Sequence, residues 1–215
     1  MQGMLRVDCT FCFASGFHVS GDRLELWVDK ALLCDPKEGC FPILPATTLK
    51  GWFREGAERA LRSLGIPACD ASSPATICSM CPVCLVFGHP RQKSPLSFES
   101  VTLKDATKDT RMSVSLSRFR KTAYEERLFS TEVGYSPSFS TTIKGFFPDV
   151  SEAKRAALLL LLGSRMSFAI GGGKSRGLGW LHCKEFVATF NGQILPEEDL
   201  LEELKALQTQ RGVET

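Results

Sequence analysis

The sequence predicts an α+β fold with the core order β-α-β-β-α-β, and three features carry that prediction. Apolar and polar residues alternate with a period of two near the start of the chain. Two helical stretches, one opening near residue 47 and one near residue 152, have apolar residues to bury. Strand-like runs fall between those helices and after the second.

Leu5, Val7, Cys9, Phe11 and Phe13 alternate with Arg6, Asp8 and Thr10, the pattern of a half-buried first strand. Residues 14–45 are broken by Gly16, Gly21, Pro36, Gly39, Pro42 and Pro45, with Leu24, Leu26 and Val28 suggesting a short strand that ends at Asp29. Thr47 reads as the N-cap of a helix running to about Leu64. Leu49, Trp52, Phe53, Ala57, Ala60, Leu61 and Leu64 form its apolar face, and Lys50, Arg54, Glu58 and Arg62 point elsewhere. Leu96 to Leu103 reads as a strand, Arg111 to Val133 as an exposed hairpin, and Phe139 to Phe147 as another strand. Pro148-Asp149-Val150-Ser151 leads into a helix over Glu152–Arg165, and Leu178 to Phe190 closes the sheet. Leu200, Leu201, Leu204 and Leu207 mark a final amphipathic helix with a solvated acidic face. The plan is ferredoxin-like (RRM-like), one domain over residues 1–215, with insertions at about 66–94 and 105–135.

A chain of 215 residues with 43% apolar and 23% charged residues can bury a sizeable core as one domain. The start of the chain has no apolar signal-peptide core, and the longest aliphatic run, Ala156 to Leu162, is too short to span a bilayer. A soluble, cytoplasmic protein is therefore expected. The net charge of +2 is uneven: residues from Pro196 onward carry −4, which leaves +6 on residues 1–195. Such a body suits polyanions.

Four of the nine cysteines, Cys69, Cys78, Cys81 and Cys84, form a C-x8-C-x2-C-x2-C cluster in a segment marked as loop by Pro74 and Pro82. Short C-x2-C steps let thiolates converge on one tetrahedral ion, so a structural Zn²⁺ is expected, with reduced thiols as the alternative. His89 is near enough to replace Cys69 as the fourth ligand. Cys34 and Cys40 offer a weaker second site with His182 or His18. A nucleobase deaminase is excluded, because no His-x-Glu precedes Cys81-Pro82-Val83-Cys84.

Gly171-Gly172-Gly173-Lys174-Ser175-Arg176-Gly177-Leu178-Gly179 places five glycines in nine positions, with two cations among them. Glycine supplies positive φ and close backbone approach, and Lys174 and Arg176 add attraction for an anion. The order helix, glycine loop, strand separates the segment from a Walker loop and from a dinucleotide fingerprint, both of which need a following helix. A plain turn packing helix on sheet is the alternative. On the hairpin, Arg111, Arg118, Arg120, Lys121 and Arg127 interleave with Phe119 and Tyr124, a combination that can hold phosphates and stack bases; a solvated ribbon is the alternative.

Taken together, these segments resemble the repeat-associated (RAMP) proteins of CRISPR systems, and among them the backbone subunit of type III effector complexes. Ile43-Leu44-Pro45-Ala46-Thr47-Thr48-Leu49-Lys50-Gly51 resembles the family's Ile-Pro-Gly-Ser-Ser-Leu-Lys-Gly segment, with Arg54 where an arginine is expected. The 171–179 segment is similar to the signature glycine-rich loop, Cys81 through Gly88 to the cysteine and Phe-Gly segment of zinc-bearing members, and Arg118 through Glu132 to the thumb hairpin. Val28 through Asp35 resembles the segment that begins with the family's catalytic aspartate, although Leu26-Trp27 replace the glycines usual before it and Ala46 the glycine usual after Pro45.

The resemblance implies guide crRNA bound along a filament of sister subunits beside a large subunit, with paired target RNA cut at regular intervals. It assigns catalysis to Asp29 with Mg²⁺ or Mn²⁺, and RNA contact to Lys50, Arg54, Arg118, Arg120, Lys121, Gly172, Gly173, Lys174, Ser175 and Arg176. Asp22 and Asp35 are rival carboxylates, and His18 is a candidate base that a structural role suits better. A catalytically inactive assembly subunit and a zinc-dependent hydrolase are the competing readings.

Overall fold

The structure, a computed structural model, describes residues 2–21, 26–37, 40–70 and 73–209. Asp22 and Leu24 lie outside them. Strand β1 (Gly3–Phe13) is followed by β2 (Ile43–Leu44), helix α1 (Ala46–Ser63), helix α2 (Pro82–Phe87), β3 (Leu96–Phe98) and β4 (Val101–Thr102). Then come the long strands β5 (Thr107–Leu116) and β6 (Ala123–Tyr135), β7 (Ser138–Phe147), α3 (Val150–Met166), β8 (Leu181–Phe190), β9 (Gln193–Leu195) and α4 (Glu197–Thr209). The chain is thus mixed α/β.

Five strands form one antiparallel sheet in the order β3-β7-β1-β8-β9, with β1 at its centre. Alternation along β1 does what its pattern predicts: Leu5, Val7, Cys9 and Phe11 are at most 2% exposed, and Arg6, Asp8 and Thr10 face the other way. Helices α1 and α3 contact one another closely, and both belong to the core that includes those β1 side chains. Their crossing depends on glycine, because a Cβ on Gly56 would lie 2.4 Å from the Gly163 carbonyl oxygen, and one on Gly163 2.4 Å from that of Phe53.

The start of α1 differs from expectation. It opens at Ala46 with Pro45 as N-cap, and the Ala46 N–H donates to Ser100 Oγ at 3.0 Å. A hydroxyl from the β3–β4 turn thus serves where Thr47 was expected to cap. At α3 the cap is local, with Asp149 accepting from the Glu152 N–H at 2.9 Å. The expected strand Leu96–Leu103 is split: β3 pairs with β7 in the main sheet, and β4 pairs with β2. The expected strand ending at Asp29 is not formed at Leu26 and Trp27, which lie in a turn at 93% and 83% exposure.

Helix α4 buries Leu200 and Leu207, but its acidic face is not simply solvated. Asp199 pairs with Lys154 at 2.8 Å, Glu203 with Arg155 at 3.0 Å, and Glu197 with Arg165, all from α3. No helix among the described residues is long and apolar enough to cross a membrane.

Candidate nucleic-acid interface

Residues 171–179 form a tight loop around one 3-10 turn, Lys174–Arg176, flanked by Gly173 and Gly177 in the left-handed region. Two glycines let other backbone pass. A Cβ on Gly171 would meet the His18 carbonyl oxygen at 2.3 Å, and one on Gly179 would meet that of Ile170 at 1.9 Å. The loop is stitched to residues 16–18 by Gly172 N–H to His18 O at 2.7 Å and Gly179 N–H to Gly16 O at 2.7 Å.

Residues 17–18 and 29–32 then run beside β6. Phe17 exchanges hydrogen bonds with Gly134, and Lys30 bridges Thr131 in parallel, donating to Ser130 O and accepting from the Glu132 N–H. His18 is buried, with Nδ1 2.8 Å from Glu132 O and Nε2 3.1 Å from Ser20 Oγ. A carbonyl can only accept, so Nδ1 carries the proton and both ring nitrogens are occupied. That is a structural histidine.

Between the glycine loop, the hairpin and the segments around His18 and Lys30 lies a cleft of about 450 Å³ lined by Lys30, Arg111, Arg176, Gly172, Gly173 and His18, among others. Among the described residues, none of its three cations has a carboxylate partner; Arg111 reaches the Arg176 carbonyl instead, at 3.4 Å. A larger hollow of about 600 Å³ on the sheet is lined by Asp8, Glu99 and Glu185, with Lys104. Three carboxylates make it a poor seat for phosphate, so charge rather than volume selects the cleft.

Asp29 stands next to Lys30 and is pinned by Ser130, whose backbone N–H and hydroxyl donate to Oδ2 at 2.6 and 2.9 Å. The Ser130 N–H, and after it the hydroxyl, hold this carboxyl below its usual range, so it stays ionised. Oδ1 takes no hydrogen bond among the described residues. The rival Asp35 is engaged by the Lys37 N–H and the Thr102 hydroxyl.

The other expected RNA contacts are spread out. Gly172, Gly173 and Arg176 line the cleft, and Ser175 is exposed on the loop, but Lys174 turns to Glu55 of α1 at 3.0 Å. Lys50 is half-buried on α1, and burial, with Arg54 close by, lowers its ammonium below the usual range. The Arg54 guanidinium is held by Glu58, the Gly88 carbonyl and the Cys84 sulfur. Burial opposes its charge, but the Glu58 hydrogen bond and the charges around it keep it raised. Arg118, Arg120 and Lys121 are exposed at the hairpin tip around Phe119, which is 94% exposed. Lys30 is not among the expected contacts, and Arg111 is expected only as one of the hairpin cations able to hold phosphate. Proximity to Asp29 was the available signal for the first.

The four cysteine sulfurs of residues 69, 78, 81 and 84 all lie within 4.8 Å of one another, with Cys69 3.6 Å from Cys81 and 3.2 Å from Cys84. Tetrahedral zinc with Zn–S near 2.3 Å needs sulfurs about 3.8 Å apart, so the donor set fits. Cys81 caps α2, Cys84 sits in its first turn, and the Cys81 N–H donates to Cys78 Sγ at 3.2 Å. Burial, with neighbouring thiols, pushes Cys84 up to about 12. At Cys78 burial raises the thiol, but the N–H groups of Met80 and Cys81, together with the Cys81 and Cys69 thiols, bring it down to about 7. His89 is not in the cluster but turns to Gln92, and Cys34 and Cys40 face the Lys108 ammonium at 3.2 and 3.5 Å rather than a histidine.

A family model described as RAMP superfamily matches residues 28–182, a span that begins at the Asp29 segment and takes in the cysteine cluster, the hairpin and the glycine loop. No curated protein matches the chain.

Proposed function

The chain belongs to the RAMP superfamily, and we propose that it is a CRISPR-associated RNA-binding subunit, a backbone unit of a type III effector complex. In this reading it binds guide crRNA with sister copies and a large subunit in the cytoplasm. The observation that carries the reading is the cleft in which Lys30, Arg111 and Arg176 converge, none with a carboxylate partner among the described residues. The ferredoxin-like reading of the core is supported by β1 lying between β7 and β8, with β3 outside β7.

A ribose–phosphate strand passing the cleft offers phosphates to these cations and to the open backbone of Gly173. The hairpin tip sets Phe119 among Arg118, Arg120 and Lys121, where a base can stack or be displaced. Such contacts carry no base information, so guide pairing selects the target.

Cleavage of the paired strand follows if a splayed nucleotide aligns its 2′-hydroxyl with its own phosphate. Asp29, ionised and oriented through Oδ2, presents Oδ1 to that hydroxyl or to an ion. Mg²⁺ or Mn²⁺ would find one protein carboxylate here and take its other oxygens from phosphate and water. When bound it would offset charge developing on the phosphate. In the assembled complex, Asp29→Ala is expected to keep target RNA bound and to abolish one periodic set of cuts, read on end-labelled target. Unchanged cuts would remove Asp29 from the mechanism.

A binding-only scaffold is the second reading, favoured by the grip of Ser130 on Asp29. A zinc hydrolase is disfavoured, because four cysteines leave the ion no open position.

A further inference from the structure

The arginine that sequence likeness puts on the guide strand does something else here. Arg54 Nη1 donates to the Gly88 carbonyl at 2.8 Å, Nη2 lies 3.6 Å from Cys84 Sγ, and Nε donates to Glu58 at 2.8 Å. One planar side chain therefore holds both ends of the six-residue helix α2 to α1. A helix this short has little stability of its own, so its geometry depends on such outside contacts. The Gly88 carbonyl direction is fixed as well, because Gly88 has φ +82 and a Cβ there would lie 2.7 Å from the Ser94 nitrogen. The Arg54 and Glu58 side chains are only 15% and 5% exposed, so these hydrogen bonds form away from bulk water.

We propose that Arg54 is a positioning residue for the cysteine metal centre: it donates to the Cys84 sulfur, fixes the α2 turn that carries Cys81 and Cys84, and does not contact the guide strand. The proposal rests on reading the four cysteines as a metal centre. An N–H donated to a thiolate offsets part of the negative charge that four such ligands place around one divalent ion. The fork also fixes the direction of the Cys84 side chain, and groups that orient ligands in this way are typically worth about 10- to 100-fold in metal affinity. Lysine keeps the charge but lacks the planar fork, so it cannot span Gly88 and Cys84 together.

The test uses the full chain with Arg54→Lys, and with Arg54→Met/Glu58→Gln, which removes both buried charges at once. Zn²⁺ affinity is read by competition with a chromogenic chelator, Co²⁺ loading by the thiolate-to-cobalt charge-transfer band, and RNA affinity with a single-stranded oligonucleotide. Zinc affinity is expected to fall about tenfold or more in both variants, with a shifted cobalt band, while RNA affinity of the zinc-loaded protein changes less than twofold. Parent-like zinc affinity and cobalt band in either folded variant overturn the proposal, and a matching loss of RNA affinity returns Arg54 to the guide strand. A parent chain that loads neither metal overturns the metal reading, and the proposal with it.

Discussion

Two groups of cations in this molecule have opposite surroundings. On α3, Lys154, Arg155 and Arg165 each meet a carboxylate of α4. In the cleft, Lys30, Arg111 and Arg176 converge from three separate segments, and among the described residues none meets one. The first group is neutralised by the fold and serves to dock a helix. The second is brought together against its own repulsion, which makes sense when the missing negative charge arrives from outside. Cation density alone does not mark a nucleic-acid surface; cations left unmatched by the chain's own carboxylates do.

The strongest way to break this contrast is to neutralise both cleft arginines, Arg111→Gln and Arg176→Gln. RNA affinity should fall roughly tenfold per cation lost. The slope of log affinity against log salt should flatten by about 0.7 for each. Lys154→Gln on α3 is the control and should leave both quantities unchanged. Filter binding across a salt series measures them, and equal slopes for the double variant and parent would leave the cleft without a ligand.

A smaller effect is expected on the other side of the comparison. Glu203→Gln uncouples Arg155 at an ion pair whose side chains are 29% and 13% exposed. The loss should be about 1 kcal/mol, since the pair is neither fully screened nor fully buried. For a chain of this size that lowers the melting temperature by about 2–4 °C. If RNA affinity instead rose, Arg155 would prove to be a phosphate contact that α4 masks.

Local pattern made the elements readable, and long-range pairing decided what the site contains. The alternation of β1, the glycines of the 171–179 loop and the C-x2-C steps each state a physical need within a few residues, and each is met in the structure. The N-cap of α1 was misread because Ser100 supplies it from 54 residues away. Lys30 and Arg111 line one cleft because both flank Thr131 of β6: Lys30 bridges it from a segment about 100 residues away, and Arg111 opposes it on β5. Arg54 shows the reverse case. Its place one turn after Lys50 on α1 is obvious in sequence, but its direction is set by Cys84 in α2 and Gly88 at the end of that helix.

Lys174 is where motif and geometry disagree most directly, and where the smallest effect is expected. The loop motif puts its ammonium on RNA, yet it pairs with Glu55 at 3.0 Å, both side chains more than a third exposed. Such a pair contributes less than about 0.5 kcal/mol, so Lys174→Gln should barely move the melting temperature. If the pairing persists when RNA binds, the substitution also leaves the salt slope within error of the parent, unlike Arg176→Gln two residues on. A slope reduced as much as by Arg176→Gln would mean that the ammonium leaves Glu55 for a phosphate. The exposure of the pair makes that exchange cheap, and Glu55→Gln would then strengthen RNA binding by removing the competing carboxylate.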